Sequence, residues 1–182
     1  DHPARVLLEE IMQAARMETD LVSQIVTFSR RSMQEKKPVA IGPVVREAVD
    51  FLRSALPSTI EIRQQLPGGD AVVMADSTRI KQVMINLGSN AGHAMREKGG
   101  VLDVALTRET LDAKTASEIS PDLCAGLYVR IEVKDTGTGM DARTLQRIFE
   151  PFFTTKRKGE GTGMGLSVVH GIVKDHKGAV TV

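Results

Sequence analysis

Apolar residues recur at three- and four-residue intervals along the first 36 residues, with no glycine or proline after Pro3. This period predicts a long amphipathic helix over residues 4–36. We expect it to end at Lys36-Lys37-Pro38, because proline cannot supply a helical N–H. The stripe needs a partner, which is either the chain's own domain or another helix. Its first row is Leu7, Ile11, Ala14, Leu21, Ile25 and Phe28.

Shorter patterns of both periods follow. The 3.6-residue period predicts helices over about 43–55, 77–97 and 141–148, and a last helix that ends near His176. Alternation predicts strands over 39–41, 58–66, 71–75, 101–110 and 127–134, and a further strand from 179. The polar segment 111–125 is interpreted as a loop. This order predicts a two-layer α/β sandwich over 37–182, a mixed sheet with helices on one face, preceded by the helix within 1–36.

Composition narrows the function classes. A net charge of +1 indicates neither a nucleic-acid surface nor an acidic partner. The lone Cys124 cannot form an internal disulfide, which fits a reducing cytoplasm. No apolar run approaches the ~18 residues of a membrane span, so we expect no membrane contact here, although the parent protein could be anchored. The sequence opens inside a helical pattern without a methionine, which suggests a piece of a longer protein.

Glycine and phenylalanine concentrate between Asp135 and Leu166. This stretch holds six of the sixteen glycines and three of the five phenylalanines. Glycines let a ligand approach the backbone, and N–H groups at a helix start attract phosphate. Two glycine clusters separated by Phe149, Phe152 and Phe153 therefore predict a phosphate-binding loop anchored by apolar residues.

The predicted helix 77–97 carries Asn86 and Asn90 one turn apart, with His93 a further turn along. Gly88 and Gly92 each cost about 1 kcal/mol against alanine in a helix interior. Two interpretations remain open. Either the helix lets a ligand approach closely, or it packs on another helix over its glycines and leaves the asparagines solvated.

Four segments resemble the sequence boxes of sensor histidine kinases, and they stand in the family's order. Residues 82–91 (QVMINLGSNA) resemble the asparagine box, DTGTG at 135–139 the first glycine box, FEPFFTTK at 149–156 the phenylalanine box, and GEGTGMGL at 159–166 the second glycine box. The phenylalanine box is most similar to the nitrogen-regulator-like branch. The resemblance implies a Bergerat-type ATP fold with a left-handed crossover. ATP would lie between the helix layer and the lid, and not on a Walker loop, whose GxxxxGK(S/T) motif the sequence does not contain.

The resemblance also implies roles for single residues. Asp135, which strand parity places on the apolar side, would accept a hydrogen bond from the exocyclic amine of adenine. The alternative is a carboxylate satisfied by the amides of its own Asp-x-Gly turn. Asn90 would give an amide oxygen to Mg²⁺, and Asn86 would line the phosphate side. His93 falls where many relatives carry a basic residue.

A mobile ATP lid is expected from Lys156 to Thr162, with Lys156 as a candidate phosphate contact. The other implied ATP-binding residues belong to the glycine boxes: Gly137, Gly139, Gly161, Thr162, Gly163, Met164, Gly165 and Leu166.

The N-terminal helix would be the second helix of the dimerisation hairpin, through which the intact parent forms a homodimer. The phosphate-accepting histidine of the family lies on the first helix. His2 stands beside Pro3 in an expected loop, and the other three histidines fall within the nucleotide domain. We therefore expect ATP and Mg²⁺ binding with little chemistry by this chain alone. The parent would phosphorylate its own histidine and pass the phosphoryl group to a response-regulator receiver domain.

Two alternatives come from other classes. Gyrase-, MutL- and chaperone-type clamp ATPases usually carry a catalytic glutamate in the asparagine helix, where this chain has Gln82 and Asn86 and only a distal Glu97. A nucleotide-free dimerisation scaffold, a pseudokinase, is the other alternative.

Overall fold

The computed structural model describes residues 36–66, 71–157 and 161–182. The N-terminal helix predicted over 4–36 and His2 thus lie outside the described residues, apart from Lys36. The described elements, in chain order, are β1 (Lys37–Ala40), α1 (Ile41–Ala55), β2 (Ile60–Gln65), β3 (Val72–Ala75), α2 (Ser77–Ala94), β4 (Gly100–Leu111), α3 (Ala113–Ile119), β5 (Gly126–Asp135), α4 (Ala142–Leu145) and α5 (Gly165–Asp175).

The main sheet has the strand order β2-β4-β5. Strand β2 runs parallel to β4, and β5 runs antiparallel to β4 with Leu102 opposite Asp135 and Leu111 opposite Gly126. Strands β1 and β3 form a separate antiparallel pair, with Lys37 opposite Ala75. The predicted mixed sheet is therefore confirmed, and its register puts the end of β5 beside the start of β4.

Helices α1 and α2 cover one face of this sheet. Their buried side chains, among them Val49, Leu52 and Met84, pack against Leu102 and Val104 of β4. Each such aliphatic side chain contributes about 1.5–3 kcal/mol when it leaves water. The opposite face is charged and exposed, with ion pairs between Arg63 and Glu61 (2.9 Å) and between Arg130 and Glu109 (3.1 Å). The two-layer sandwich is confirmed.

The glycines of α2 face α1 and the residue that follows it. A β carbon on Gly88 would lie 2.4 Å from Cδ1 of Leu52, and one on Gly92 would lie 2.4 Å from Cδ2 of Leu56. Helix packing, and not the approach of a ligand, therefore explains both glycines. The same interpretation also expected solvated asparagines. That expectation is wrong, because the side chains of Asn86 and Asn90 both make protein contacts.

Several predicted boundaries were wrong. The predicted loop 111–125 contains helix α3, which Asp112 caps by accepting a hydrogen bond from the Thr115 amide (2.7 Å). Helix α2 ends at Ala94 and α4 at Leu145, each three residues before the predicted end. Residues 179–182 have no strand pairing among the described residues. The period of the apolar residues predicted the type of each element. The missed α3 depends on a local cap, and residues 179–182 lack a partner strand among the described residues. No helix in the described part of the chain is long and apolar enough to span a membrane.

Candidate nucleotide-binding site

The two asparagines of α2 join it to the segments that flank the second glycine box. The amide nitrogen of Asn86 donates to the carbonyl oxygen of Gly165 (3.3 Å), at the first residue of α5. Oδ1 of Asn90, one turn later, accepts a hydrogen bond from Nζ of Lys156 (3.2 Å). The asparagine box, the phenylalanine box and the second glycine box therefore meet at one place.

Asp135 stands at the end of β5, on the sheet face that carries Leu102. The expected strand parity is correct, but the carboxylate is exposed and not buried, because the strand ends there. Oδ1 accepts a hydrogen bond from the Gly137 amide (2.9 Å). The turn therefore satisfies one oxygen, as the simpler alternative predicted. Oδ2 has no hydrogen bond within the described segments, so it is available as an acceptor on an exposed side chain.

The first glycine box packs on the last turn of α2. The Thr138 amide donates to the carbonyl oxygen of Ala94 (3.3 Å), and a β carbon on Gly137 would lie 2.6 Å from Cβ of Ala94. Oγ1 of Thr136 accepts from the Val101 amide (3.0 Å) and fixes the turn to β4. The first glycine box is thereby held against Ala94, one helical turn beyond Asn90. His93 is half-buried in this last turn, and Gly139 has a φ of +68°.

The second glycine box leads into α5 without a side-chain cap. Its N-cap residue, Met164, makes no side-chain capping hydrogen bond, although the Met164 amide donates to Oγ1 of Thr162 (3.3 Å). Amides in the first turn of a helix have no intrahelical partner and attract anions. The start of α5 at Gly165 and Leu166 can therefore receive phosphate oxygens.

The backbone of Phe152 packs against Gly163 of the second glycine box. Gly163 has a φ of +67°, and a β carbon there would lie 2.4 Å from the carbonyl carbon of Phe152. Phe152 itself has a φ of +67°, a conformation that costs about 1–2 kcal/mol for a residue with a side chain. The residue is 69% exposed, so the prediction that Phe152 is an apolar anchor of the loop is wrong.

The other two phenylalanines do act as anchors. The Phe149 ring lies 5.0 Å from the His170 ring of α5, measured between centroids. The Arg147 guanidinium lies 4.3 Å from the centre of the Phe153 ring, a cation–π contact that an ion pair with Glu150 (2.9 Å) orients. The phenylalanine box therefore contacts α5 through Phe149, and it contacts Arg147, just after α4, through Phe153.

One contact at the far end of the two site helices was not apparent in the sequence. The backbone amide of Asp76, the N-cap residue of α2, donates a hydrogen bond to Nε2 of His176 (3.1 Å). His176 is the residue that follows α5. The ion pair between Arg79 and Asp175 (2.7 Å) lies beside it. These pairs are about 100 residues apart in sequence, so no local pattern could have revealed them.

A metal would find one suitable ligand here. The described residues contain no group of three or more histidine, cysteine or acidic side chains that could hold an ion. Mg²⁺ prefers oxygen ligands and usually retains water and substrate phosphates. Oδ1 of Asn90 already accepts a cationic ammonium group. This donor fits a Mg²⁺ ion carried mainly by a nucleotide, and it does not fit an all-protein metal cage.

Comparison with known proteins identifies the family. Residues 75–182 match the family described as histidine kinase-, DNA gyrase B-, and HSP90-like ATPase. The chain is 37% identical over 171 residues to sensor kinase CckA of Brucella abortus (strain 2308), covering 93% of this chain and 18% of that protein. It is 32% identical over 186 residues to sensor histidine kinase ZraS of Escherichia coli (strain K12), covering 99% of this chain and 36% of that protein. The chain thus spans about a fifth to a third of the curated relatives it matches.

Solved structures agree. A nucleotide-free form of the catalytic domain of histidine kinase ThkA matches with a TM-score of 0.59 and 28% identity, covering 79% of this chain and 82% of that one. Full-length ShkA in complex with AMPPNP matches with a TM-score of 0.66 over 96% of this chain and 34% of that one, and at 22% identity it shows the fold alone. The chain belongs to the histidine kinase-, DNA gyrase B-, and HSP90-like ATPase family, as an ATP-binding domain of the sensor histidine kinase type.

Proposed function

We propose that this chain binds ATP with Mg²⁺ and presents the γ-phosphoryl group to a histidine supplied by another part of the intact protein. The group would then pass to an aspartate of a response-regulator receiver domain. The observation that carries this proposal is the meeting of Asn90, Lys156 and the uncapped start of α5 at one place. Phosphoryl transfer needs mainly positioning and charge neutralisation, and these groups supply both.

The adenine end of the site would depend on Asp135. Gly137 fixes the carboxylate through Oδ1, which leaves Oδ2 to accept a hydrogen bond from the exocyclic amine of adenine. Guanine carries a carbonyl oxygen at the equivalent position and would face this carboxylate with a second acceptor. We therefore propose ATP over GTP as the substrate. Gly137 and Gly139 shape the turn, and Met164, which is buried at the N-cap of α5, would lie next to the nucleotide.

The phosphate end would use the second glycine box and a cation at Asn90. Amides of Gly163, Gly165 and Leu166 would face phosphate oxygens at the start of α5. Asn90 would ligate Mg²⁺, which neutralises charge on the phosphates when it is bound. Gly161, Thr162 and His93 border this end, as the family resemblance implies. Residues 158–160 of the expected lid lie outside the described residues.

Two observations favour a kinase over a clamp ATPase. Helix α2 contains no aspartate or glutamate, so it offers no carboxylate to activate water. Glu97 lies beyond the end of α2 and is exposed. Both observations support transfer of the phosphoryl group to an acceptor from elsewhere.

Two of the described histidines, His170 and His176, are also poor acceptors. The His170 ring packs on Phe149, and the His176 ring bridges Asp76 and the Ile172 carbonyl oxygen. We propose that the acceptor belongs to a hairpin to which residues 1–36 contribute one helix, with 37–182 as the catalytic domain. Two such hairpins would form the parent homodimer. A domain that uses ATP would lie in the cytoplasm.

The test is to titrate ATP with Mg²⁺ into the chain and then to look for transfer from γ-labelled ATP. The proposal predicts saturable ATP binding, very slow release of phosphate, and no stable phosphohistidine on this chain alone. Steady hydrolysis would favour the clamp ATPase. Absence of nucleotide binding would favour the scaffold, and substantial phosphohistidine would contradict the assignment of the acceptor to another segment.

A further inference from the structure

The side-chain oxygen of Asn90 is the acceptor for the Lys156 ammonium group and also the proposed ligand of Mg²⁺. Nζ of Lys156 lies 3.2 Å from Oδ1 of Asn90, the oxygen that the proposed function gives to Mg²⁺. Mg²⁺ binds oxygen at about 2.1 Å and tolerates little departure from octahedral geometry. An ammonium group and Mg²⁺ on the same amide oxygen would lie side by side, and their charges would repel. The two cations can therefore hold this oxygen only in turn.

The lysine reaches Asn90 along a defined path. Its backbone amide donates to Oγ1 of Thr154 (3.1 Å), which fixes the turn from which the side chain starts. Its stem passes Gly161 so closely that a β carbon there would lie 2.7 Å from Cδ of Lys156. The side chain is half-buried, whereas its neighbour Arg157 is exposed. The contact with Asn90 is therefore built into the turn and is not one position of a solvated lysine.

We infer that Lys156 is a built-in competitor of Mg²⁺ at Asn90. In the nucleotide-free protein the ammonium group holds Oδ1 of Asn90, and Mg²⁺ that arrives with a nucleotide displaces it. When a nucleotide arrives without metal, Lys156 stays at Asn90 and itself supplies positive charge beside the phosphates. This inference rests on the proposed function, and it adds that Lys156 sets how strongly nucleotide binding depends on the metal.

The test is a ratio of two dissociation constants. We would titrate ATP into the whole chain by calorimetry, once with Mg²⁺ in excess and once with EDTA, and divide the second Kd by the first. Lys156→Met removes the competitor and the substitute charge together. It should weaken metal-free binding much more than binding with Mg²⁺, so the ratio should rise by about tenfold, the size of one charge-assisted contact. Lys156→Gln is a second variant that keeps a polar end, and it should raise the ratio in the same direction.

Arg157→Met is the matched control, because it removes a neighbouring positive charge that does not reach Asn90. Its ratio should equal that of the unmodified chain. An unchanged or lower ratio in both Lys156 variants would overturn the exchange, since it would mean that Lys156 and Mg²⁺ act together or independently. In that case ATP binding by the unmodified chain would still support the proposed function. If the unmodified chain bound no ATP in either buffer, the proposed function would fail, and the exchange would fail with it.

Discussion

The side-chain amide of Asn86 donates a hydrogen bond to the carbonyl oxygen of Gly165, at a distance of 3.3 Å. Family resemblance placed Asn86 on the phosphate side of the site, as a residue that lines the ligand. The structure gives it a contact with the protein, between the middle of α2 and the first residue of α5. Asn86 therefore positions the amides that would receive phosphate, whereas Asn90 carries a cation.

This difference predicts separable effects of the two asparagines. Asn86→Ala should lower ATP affinity by about fivefold, the equivalent of one hydrogen bond of about 1 kcal/mol, both with and without Mg²⁺. Asn90→Ala should lower affinity mainly when Mg²⁺ is present and so reduce the benefit of the metal. Calorimetric titration in Mg²⁺ and in EDTA measures both. Equal dependence on Mg²⁺ in the two variants would contradict the division of roles.

Gly88 and Gly171 form a matched pair for the packing of the helices. Alanine at Gly88 would bring its β carbon to 2.4 Å from Cδ1 of Leu52, which is only 2% exposed and has little room to move. Overpacking of this kind costs about 1–3 kcal/mol, which outweighs the gain of about 1 kcal/mol in helix propensity. We expect Gly88→Ala to destabilise the fold.

Gly171 lies in α5, where a β carbon would meet no atom within 4 Å. Gly171→Ala should therefore stabilise the protein by up to about 1 kcal/mol. Urea unfolding of both variants checks the pair. Stabilisation by both substitutions would show that α1 does not approach α2 as closely as described.

The cap of α3 predicts a dependence of stability on pH. The backbone amide of Thr115, with the Thr115 side chain, lowers the pKa of the exposed Asp112 carboxyl. A pKa lower in the folded than in the unfolded chain gives stability that is present above the unfolded value of about 3.9 and is lost as the pH falls through the folded value. Asn also caps helices but does not titrate. Asp112→Asn should therefore lose less stability in acid than the unmodified chain, as measured by urea midpoints at neutral and acidic pH. An equal or larger acid loss in the variant would contradict the cap.

The contact between Asp76 and His176 predicts a single tautomer. Nε2 accepts the Asp76 amide (3.1 Å), so the proton must be on Nδ1, which lies 2.7 Å from the Ile172 carbonyl oxygen. Nitrogen-15 NMR at neutral pH should show Nδ1 protonated. His176→Ala should cost about 1–2 kcal/mol, because two hydrogen bonds are lost. An Nε2-protonated ring would mean that the two helix ends are not joined in this way.

The sequence predicted most of what depends on local pattern. Strand parity along residues 127–134 correctly put Asp135 on the face of Leu102, and the glycine boxes marked the start of α5 at Gly165. The α3 helix was missed because its apolar content is too low for a periodic signal, although Asp112 and Thr115 have cap spacing. The predicted strand from 179 needs a pairing partner, which alternation alone does not provide.

Contacts between residues distant in sequence could not be predicted, for a different reason. The glycines of α2 have the same sequence signature whether a ligand or a leucine approaches them, and only the position of Leu52 decides between the two. The exposure of Asp135 likewise depends on where its strand stops. The contact of Lys156 with Asn90 joins residues 66 apart, and box order indicated their proximity but not their pairing.

The most direct test of the central claim is calorimetric titration of ATP with Mg²⁺ into the unmodified chain and into Asp135→Asn. Asparagine can still accept the Gly137 amide through its carbonyl oxygen, but it turns an NH₂ group toward the base. The account predicts saturable binding that the substitution weakens by about tenfold or more, the effect of losing a hydrogen bond to a charged group. Asp112→Asn, at an aspartate that caps α3, should bind ATP as the unmodified chain does. Equal ATP affinity in the unmodified chain and in Asp135→Asn would contradict adenine recognition by Asp135.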